Sequence, residues 1–236
     1  MSRISVCIAT YNGEKYILAQ LYSILKQLSI EDEVIISDDS STDKTVEIIK
    51  SIRDNRIRLL LDQRFKSPVF NFENAIKHCS NDIIFLSDQD DVWMPQKVDI
   101  FLEQLRYNDL VTSDCSFIND TGEVVLSSYF SQVDAGSGVI RNLRKNTYFG
   151  CCMAFKRTLL KKALPFPKDI PMHDIWLGFV ADLFYTSKFI DIPLTQYRKH
   201  STNASIASDI ISNNSIFTKI RYRWQLLKYL PILILR

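Results

Sequence analysis

The feature that most constrains this chain is a unit repeated along its first hundred residues: a short apolar run, a polar turn, then apolar positions at helical spacing. Residues 4–9, Ile-Ser-Val-Cys-Ile-Ala, end in Thr10-Tyr11-Asn12-Gly13, after which Ile17, Leu18, Leu21, Ile24, Leu25 and Leu28 follow helical spacing. Val34-Ile35-Ile36 runs into Asp38-Asp39-Ser40-Ser41-Thr42-Asp43 and a helix carrying Val46, Ile49 and Ile52. A third run at residues 57–61 precedes a helix around 71–78, and Ile83-Ile84-Phe85-Leu86 closes on Asp88-Gln89-Asp90-Asp91. Alternation at this rhythm predicts an α/β fold with a mostly parallel, helix-covered sheet. A helix through Phe101, Leu102 and Leu105 and a strand near 110–113 follow; from about residue 115 the pattern loosens.

In open α/β sheets, ligands collect outside the carboxyl ends of parallel strands. Thr10–Gly13, Asp38–Asp43 and Asp88–Asp91 all lie there, so three polar segments converge on one edge. Asp88, Asp90 and Asp91 place three carboxylates within four residues, and charges that close raise one another's pKa unless a cation neutralises them. All-oxygen ligation suits Mg²⁺ or Mn²⁺. The competing reading is a solvated acidic turn, with Asp91 favouring the next helix through its dipole. Asp38 and Asp39 suit a ribose hydroxyl or base imide, whereas Ser40, Ser41 and Asp43 suit the cap of the following helix.

The bulk properties narrow the partners. At 236 residues, with 46% hydrophobic residues, the chain can bury one substantial core, and a net charge of +2 gives no case for nucleic acid. Five cysteines (Cys7, Cys79, Cys115, Cys151 and Cys152) show no metal-ligand spacing and no signal peptide precedes them, so they are expected to be packing residues in a reducing compartment. Adjacent Cys151 and Cys152 are not expected to form a disulfide. The apolar stretch 229–235 is far short of the ~20 residues a membrane-spanning helix needs, which leaves a soluble or membrane-surface-bound protein.

Three motifs carry a resemblance: Ser5-Val6-Cys7-Ile8-Ala9-Thr10-Tyr11-Asn12, Ser37-Asp38-Asp39-Ser40-Ser41-Thr42-Asp43, and Phe85-Leu86-Ser87-Asp88-Gln89-Asp90-Asp91-Val92-Trp93. Together they resemble the family 2 glycosyltransferases, and Met172-His173-Asp174 and Tyr197-Arg198-Lys199-His200 extend the likeness to about residue 205. The resemblance implies a GT-A fold in one continuous domain, 1–205, with a nucleotide-sugar-binding half (1–105), an acceptor-binding and catalytic-base half (106–205), and a helical tail (206–236). It implies that Thr10, Tyr11, Asn12 and Glu14 line the nucleotide site and that Asp38 and Asp39 contact base or ribose. Asp88 lies near the ribose or a metal-bound water, and Asp90, joined by His200, holds Mn²⁺ or Mg²⁺. Asp174 is the catalytic base, although it can also be read as the N-cap of its own helix. Asn71 and Lys97 support the donor pocket, and Arg198 or Lys199 meets phosphate. Asn71 can also be read as a helix cap and Trp93 as sugar wall or core. Gly150 leaves room beneath the donor sugar.

The implied activity is inverting, metal-dependent transfer of a hexose or deoxyhexose (rhamnose, glucose or galactose). The donor is a UDP- or dTDP-linked sugar and the acceptor a lipid-linked saccharide, in the assembly of bacterial surface polysaccharide (O-antigen or capsule) at the cytoplasmic face of the inner membrane. The tail, Lys219-Ile220-Arg221-Tyr222-Arg223-Trp224 and beyond, has an interfacial composition suited to peripheral membrane contact, or equally to packing on the domain. Rival readings are a sugar nucleotidyltransferase, which would want a glycine-rich phosphate loop after the first strand, and a non-catalytic sugar-binding or scaffolding relative.

Overall fold

The structure, a computed structural model, describes residues 3–200 and 215–236. The expected boundary at residues 205/206 lies outside them. Strands β1 (Ile4–Thr10), β2 (Glu33–Asp38), β3 (Ile57–Leu60) and β4 (Ile83–Ser87) alternate with helices α1 (Ile17–Leu25), α2 (Thr45–Ser51) and α3 (Pro68–His78). All four strands are parallel in the order β3-β2-β1-β4, with Thr10 opposite Asp38 and Ile8 opposite both Ile36 and Ser87. That register places the polar segments after β1, β2 and β4 at one edge, as the sequence pattern predicts.

The loosened pattern beyond residue 115 has a physical cause. After β5 (Val92–Trp93) and α4 (Lys97–Leu105), β6 (Leu110–Ile118) is nine residues long and buried throughout, yet carries Thr112, Ser113, Asp114 and Ser116. Asp114, 1% exposed, accepts hydrogen bonds from the Cys115 and Phe130 amides and the Ser128 hydroxyl, so a buried strand is stitched to a loop by a carboxylate. Short β7 (Val124–Leu126) pairs with β6; β8 (Met153–Lys156) runs antiparallel between β4 and β6; and β9 (Ser187–Arg198) lies parallel to β6 and antiparallel to β5.

One face of the sheet is covered by α1 and α4, whose apolar residues join Phe85 and Trp93 in a single cluster. Trp93 is 1% exposed, with its ring 5.4 Å from Phe85, so it is core and no sugar wall. The other face is covered by α3, α6 (Leu160–Ala163) and α7 (His173–Phe184), and the C-terminal helices α8 (Ile216–Leu227) and α9 (Leu230–Leu235) join this cluster through Leu226 and Leu233. Tyr229 stacks edge-on against Trp176, its hydroxyl donates to Asp169, and Lys162 Nζ donates to the Leu233 carbonyl at 3.0 Å. The tail therefore packs on the domain. Its other side leaves Phe217, Ile220, Trp224 and Leu227 exposed at helical spacing. Among the described residues, no helix is long and apolar enough to cross a membrane. All five cysteines are buried and free, as expected, with Cys151 and Cys152 sulfurs 3.8 Å apart.

Candidate active site

A single cleft of about 1330 Å³ runs along the carboxyl edge of the parallel strands. Thr10, Tyr11, Asp39, Asn71, Asp88, Asp90 and Asp174 all line it, so the structure brings together residues up to 164 positions apart in sequence, 174 less 10.

The strand-edge wall is built from loops that grip one another. The Gln89 side chain accepts from the Tyr11 amide (2.9 Å) and donates to the Tyr11 carbonyl (3.1 Å), locking the β1 loop to the acidic run. A Cβ on Gly13 would come within 2.4 Å of Gln89 Oε1, so glycine is required for this clasp. Asn12 and Ser40, one in each neighbouring loop, hold left-handed backbone (φ 50° and 62°). The sequence reading missed Gln89, whose signal was only its place between two aspartates.

This gripping engages several of the residues expected to meet a ligand. Asp38, 1% exposed, accepts from Thr10 Oγ1 (2.8 Å), the Ser41 amide (2.8 Å) and Ser41 Oγ (2.6 Å), and does not line the cleft. Its strand position turns it into its own loop, whereas Asp39, one residue on, lines the cleft and accepts from the Phe65 amide at 2.6 Å. Asn12 Oδ1 accepts from the Thr42 amide and Glu14 Oε2 from the Lys44 amide, so both tie the β1 loop to the β2 loop. Lys97 is completely buried beneath the site, its Nζ donating to the Cys151 carbonyl (2.8 Å) and Thr195 Oγ1 (2.7 Å). Burial lowers its pKa. Arg198 donates to the carbonyls of Asp90 (2.9 Å) and Asn119 (3.0 Å) and stacks on Tyr16, which makes it a brace for Asp90 and no part of the cleft wall. Asn71 is no helix cap: its Nδ2 donates to the Thr10 carbonyl, and Oδ1 is buried without a partner among the described residues.

The acidic run divides by depth. Asp90 lines the cleft with Oδ2 2.7 Å from His200 Nε2, and Tyr16 stacks on the His200 ring at 5.3 Å. Asp91 is buried, leads into β5 and not into a helix, and accepts the Arg198 amide at 2.9 Å; its second oxygen has no hydrogen-bond partner among the described residues. Burial, with the charges of its neighbouring aspartates, pushes Asp88 and Asp91 well above the usual carboxylate range. A cation relieves that repulsion, and two donor sets are present. Asp90 on the cleft wall, with His200 against it, offers oxygen and nitrogen. Asp88, Asp91 and Cys151 also lie close enough to share an ion, a grouping the cysteine spacing did not foretell. A hard divalent ion fits the first set better. One Asp91 oxygen is already bonded, and the hydrogen bond with Cys152 together with burial holds the Cys151 thiol protonated.

Across the cleft, Asp174 is the second residue of α7, and Met172 holds the N-cap position, so the capping reading falls. Asp174 accepts from the Gly150 amide (3.1 Å) and the Ile175 amide (2.7 Å), while burial raises its pKa to about 6. A carboxylate tuned toward neutrality and facing a cleft suits a general base. Gly150 does leave space, but the space holds His173: a Cβ there would lie 2.7 Å from His173 Nε2. His173 stacks on Phe72 and is kept neutral by burial, with a pKa near 3.

The profile of the family described as Glycosyl transferase family 2 matches residues 5–164. The chain is 26% identical over 228 residues (95% of this chain, 85% of the relative) to the Escherichia coli UDP-Glc:alpha-D-GlcNAc-diphosphoundecaprenol beta-1,3-glucosyltransferase WfgD. It is 29% identical to the Shigella flexneri dTDP-rhamnosyl transferase RfbG, over 83% of this chain and 72% of that one. Among solved structures, Staphylococcus aureus TarS 1-349 in complex with UDP-GlcNAc superposes with a TM-score of 0.68 at 20% identity, covering 95% of this chain and 71% of that one. The Pyrobaculum calidifontis mannosyltransferase PcManGT with GDP-Man and Mn²⁺ gives 0.60 at 20% identity, covering 81% and 55%. The sheet order and the acidic edge thus come with a family match that replaces the nucleotidyltransferase and scaffold readings: the chain belongs to glycosyltransferase family 2, adopts the GT-A fold, and is a glycosyltransferase acting on nucleotide sugars.

Proposed function

We propose that this enzyme inverts the anomeric centre of a UDP- or dTDP-linked hexose or deoxyhexose as it transfers the sugar to a lipid-linked saccharide, in bacterial surface-polysaccharide assembly. The observation that carries the reading is the pairing, across one cleft, of Asp90 beside His200 with a lone, partly neutralised Asp174. Residues 1–105 form the donor half, with Asp39, Tyr11, Thr10 and Asn71 around the nucleotide and Asp88 near the ribose. Residues 106–205 supply the acceptor side and the base.

Asp90 and His200 would hold Mn²⁺ or Mg²⁺, which when bound neutralises charge developing on the departing nucleoside diphosphate. Ionised Asp174 takes the proton from the acceptor hydroxyl while that oxygen attacks the anomeric carbon from the face opposite the leaving group. The Gly150 and Ile175 amides hold the carboxylate in place. The names of WfgD and RfbG support the donors proposed, and WfgD's supports a diphosphate-lipid acceptor. The exposed stripe Phe217, Ile220 and Trp224, beside basic Lys219 and Arg221, supports attachment to the cytoplasmic face of an anionic membrane.

The test is donor hydrolysis and transfer across a panel of nucleotide sugars, with and without Mn²⁺, for wild type, Asp90→Ala and Asp174→Asn. Inverted product and loss of turnover in both variants are expected. Retained anomeric configuration, or full turnover in both variants, refutes the mechanism.

A further inference from the structure

The carboxylates of the cleft gather at one end, with Arg64 and Lys66 beside them on the loop after β3, whereas the far end carries cations alone. Every carboxylate lining it (Asp39, Asp88, Asp90 and Asp174) belongs to the strand edge or to α7. The far wall is formed by the end of α5 (Val139–Arg144) and the inner side of α8, and contributes Arg144, Lys145, Lys219 and Arg223. Among the described residues none of these four has a carboxylate within ion-pair distance, and Asp134 nearby is already paired with Arg141 at 2.7 Å. Arg223 donates to the Arg144 main-chain carbonyl at 2.8 Å, which ties α8 to the end of α5. Like charges gathered in a concave wall without a counter-ion raise the energy of the empty site and lower that of an anionic complex. Immediately outside, α8 exposes Phe217 (81%) and Trp224 (65%), an apolar ledge continuous with the cationic wall.

We propose that Arg144, Lys145, Lys219 and Arg223 form the seat for a diphosphate carried by the acceptor, with its hydrocarbon chain leaving over Phe217, Ile220 and Trp224. This rests on the reading of the cleft as a glycosyltransferase site and adds where an anionic acceptor is gripped. A diphosphate suits the wall better than a monophosphate, because two guanidinium groups and two ammonium groups neutralise its charge and the guanidiniums can bond it bidentately. The donor's own diphosphate belongs with Asp90 and His200 on the other wall.

The experiment measures equilibrium binding of farnesyl diphosphate, farnesyl monophosphate and farnesol to the full chain pre-saturated with UDP or dTDP and Mn²⁺, in wild type and in Arg144→Gln/Arg223→Gln. Farnesyl diphosphate should bind wild type in the presence of nucleotide, well ahead of farnesol, and about 10- to 100-fold more weakly in the double variant, with nucleotide affinity unchanged. Lys145→Gln/Lys219→Gln, which leaves the Arg223–Arg144 bond intact, should weaken it in the same direction. The proposal is overturned if farnesyl diphosphate binds only by displacing the nucleotide, or if both double variants bind it like wild type. It is equally overturned if the variants lose only affinity for phosphatidylglycerol vesicles, which would make the cluster a headgroup contact. Absence of any nucleotide binding would instead strike the functional reading, and the farnesyl series would still report on the wall.

Discussion

The two walls of the cleft are made differently. The donor wall is the end of a parallel sheet whose loops consume most of their own polar groups: Asp38, Asn12, Glu14 and Gln89 bond neighbouring loops and leave Asp39, Asp88 and Asp90 facing the cleft. The acceptor wall is assembled from short helices and the tail, with aromatic and cationic side chains and the single carboxylate Asp174. One wall is fixed before a ligand arrives, so its groups suit positioning of a constant part, the nucleotide. The other presents long basic side chains able to adapt to a variable acceptor.

The largest effect should come from the one carboxylate on the adaptable wall. Asp174→Asn keeps the shape of the side chain and removes the base, and kcat for transfer should fall about 10²- to 10⁴-fold. Donor affinity, read by nucleotide-sugar titration, should barely move, because the donor wall is built without Asp174. A comparable loss of donor binding would show that the two walls are one unit. Next in size, Asp90→Ala should lower turnover about 100-fold or more and abolish its response to Mn²⁺, whereas His200→Gln should weaken cation activation about 10-fold. If Cys151→Ala abolished the Mn²⁺ response while Asp90→Ala spared it, the deeper group of Asp88, Asp91 and Cys151 would be the cation site.

The contrast between the walls also accounts for what the sequence could reveal. Parallel strands buried on both faces leave uninterrupted apolar runs, so β1, β2 and β4 and the loops that follow them were legible, and with them the edge where Asp39, Asp88 and Asp90 meet. Which member of an adjacent pair faces the cleft was not legible. Asp38 ends its strand paired with Thr10, and that one-residue difference sends it into the loop and Asp39 to the cleft. The orientation of Lys97 and Arg198 was not legible either, since both bond to backbone carbonyls that no local pattern foretells. The acceptor wall was largely hidden. Its cations come from positions 144–145 and 219–223, and only the folding of α8 against the domain brings them together.

A pH series separates the burial of Asp174 from its chemistry. With a pKa near 6, Asp174 must lose its proton before it can act, so transfer should decline as pH falls through about 6, well above the ordinary carboxylate range near 4. The stability consequence has a definite sign. A carboxyl whose pKa is raised in the folded state favours folding while protonated, and that contribution, complete below about pH 4, is lost as pH rises through about 6. Between pH 4 and pH 7 the stability of wild type relative to Asp174→Asn should therefore drop by about 2 to 3 kcal/mol, measured by urea unfolding without divalent cation. A constant difference between the two proteins would mean that Asp174 is not buried as the structure has it.

The smallest effect sets the two aspartates of the β2 loop against each other. Asp38→Ala removes a buried acceptor of three hydrogen bonds and strands the Thr10 and Ser41 donors, at a cost of about 1 to 3 kcal/mol in stability. Asp39→Ala gives up one bond, to the Phe65 amide at the cleft rim, and should cost less than about 1 kcal/mol while weakening UDP or dTDP binding about 10-fold. Thermal unfolding and nucleotide titration on the same two variants give four values, and the division predicts that the larger stability loss and the larger affinity loss fall on different residues. If both fell on Asp38, the inward-turned carboxylate would be a ligand contact reached by rearrangement of the loop, and the donor wall would be less fixed than its hydrogen bonds imply.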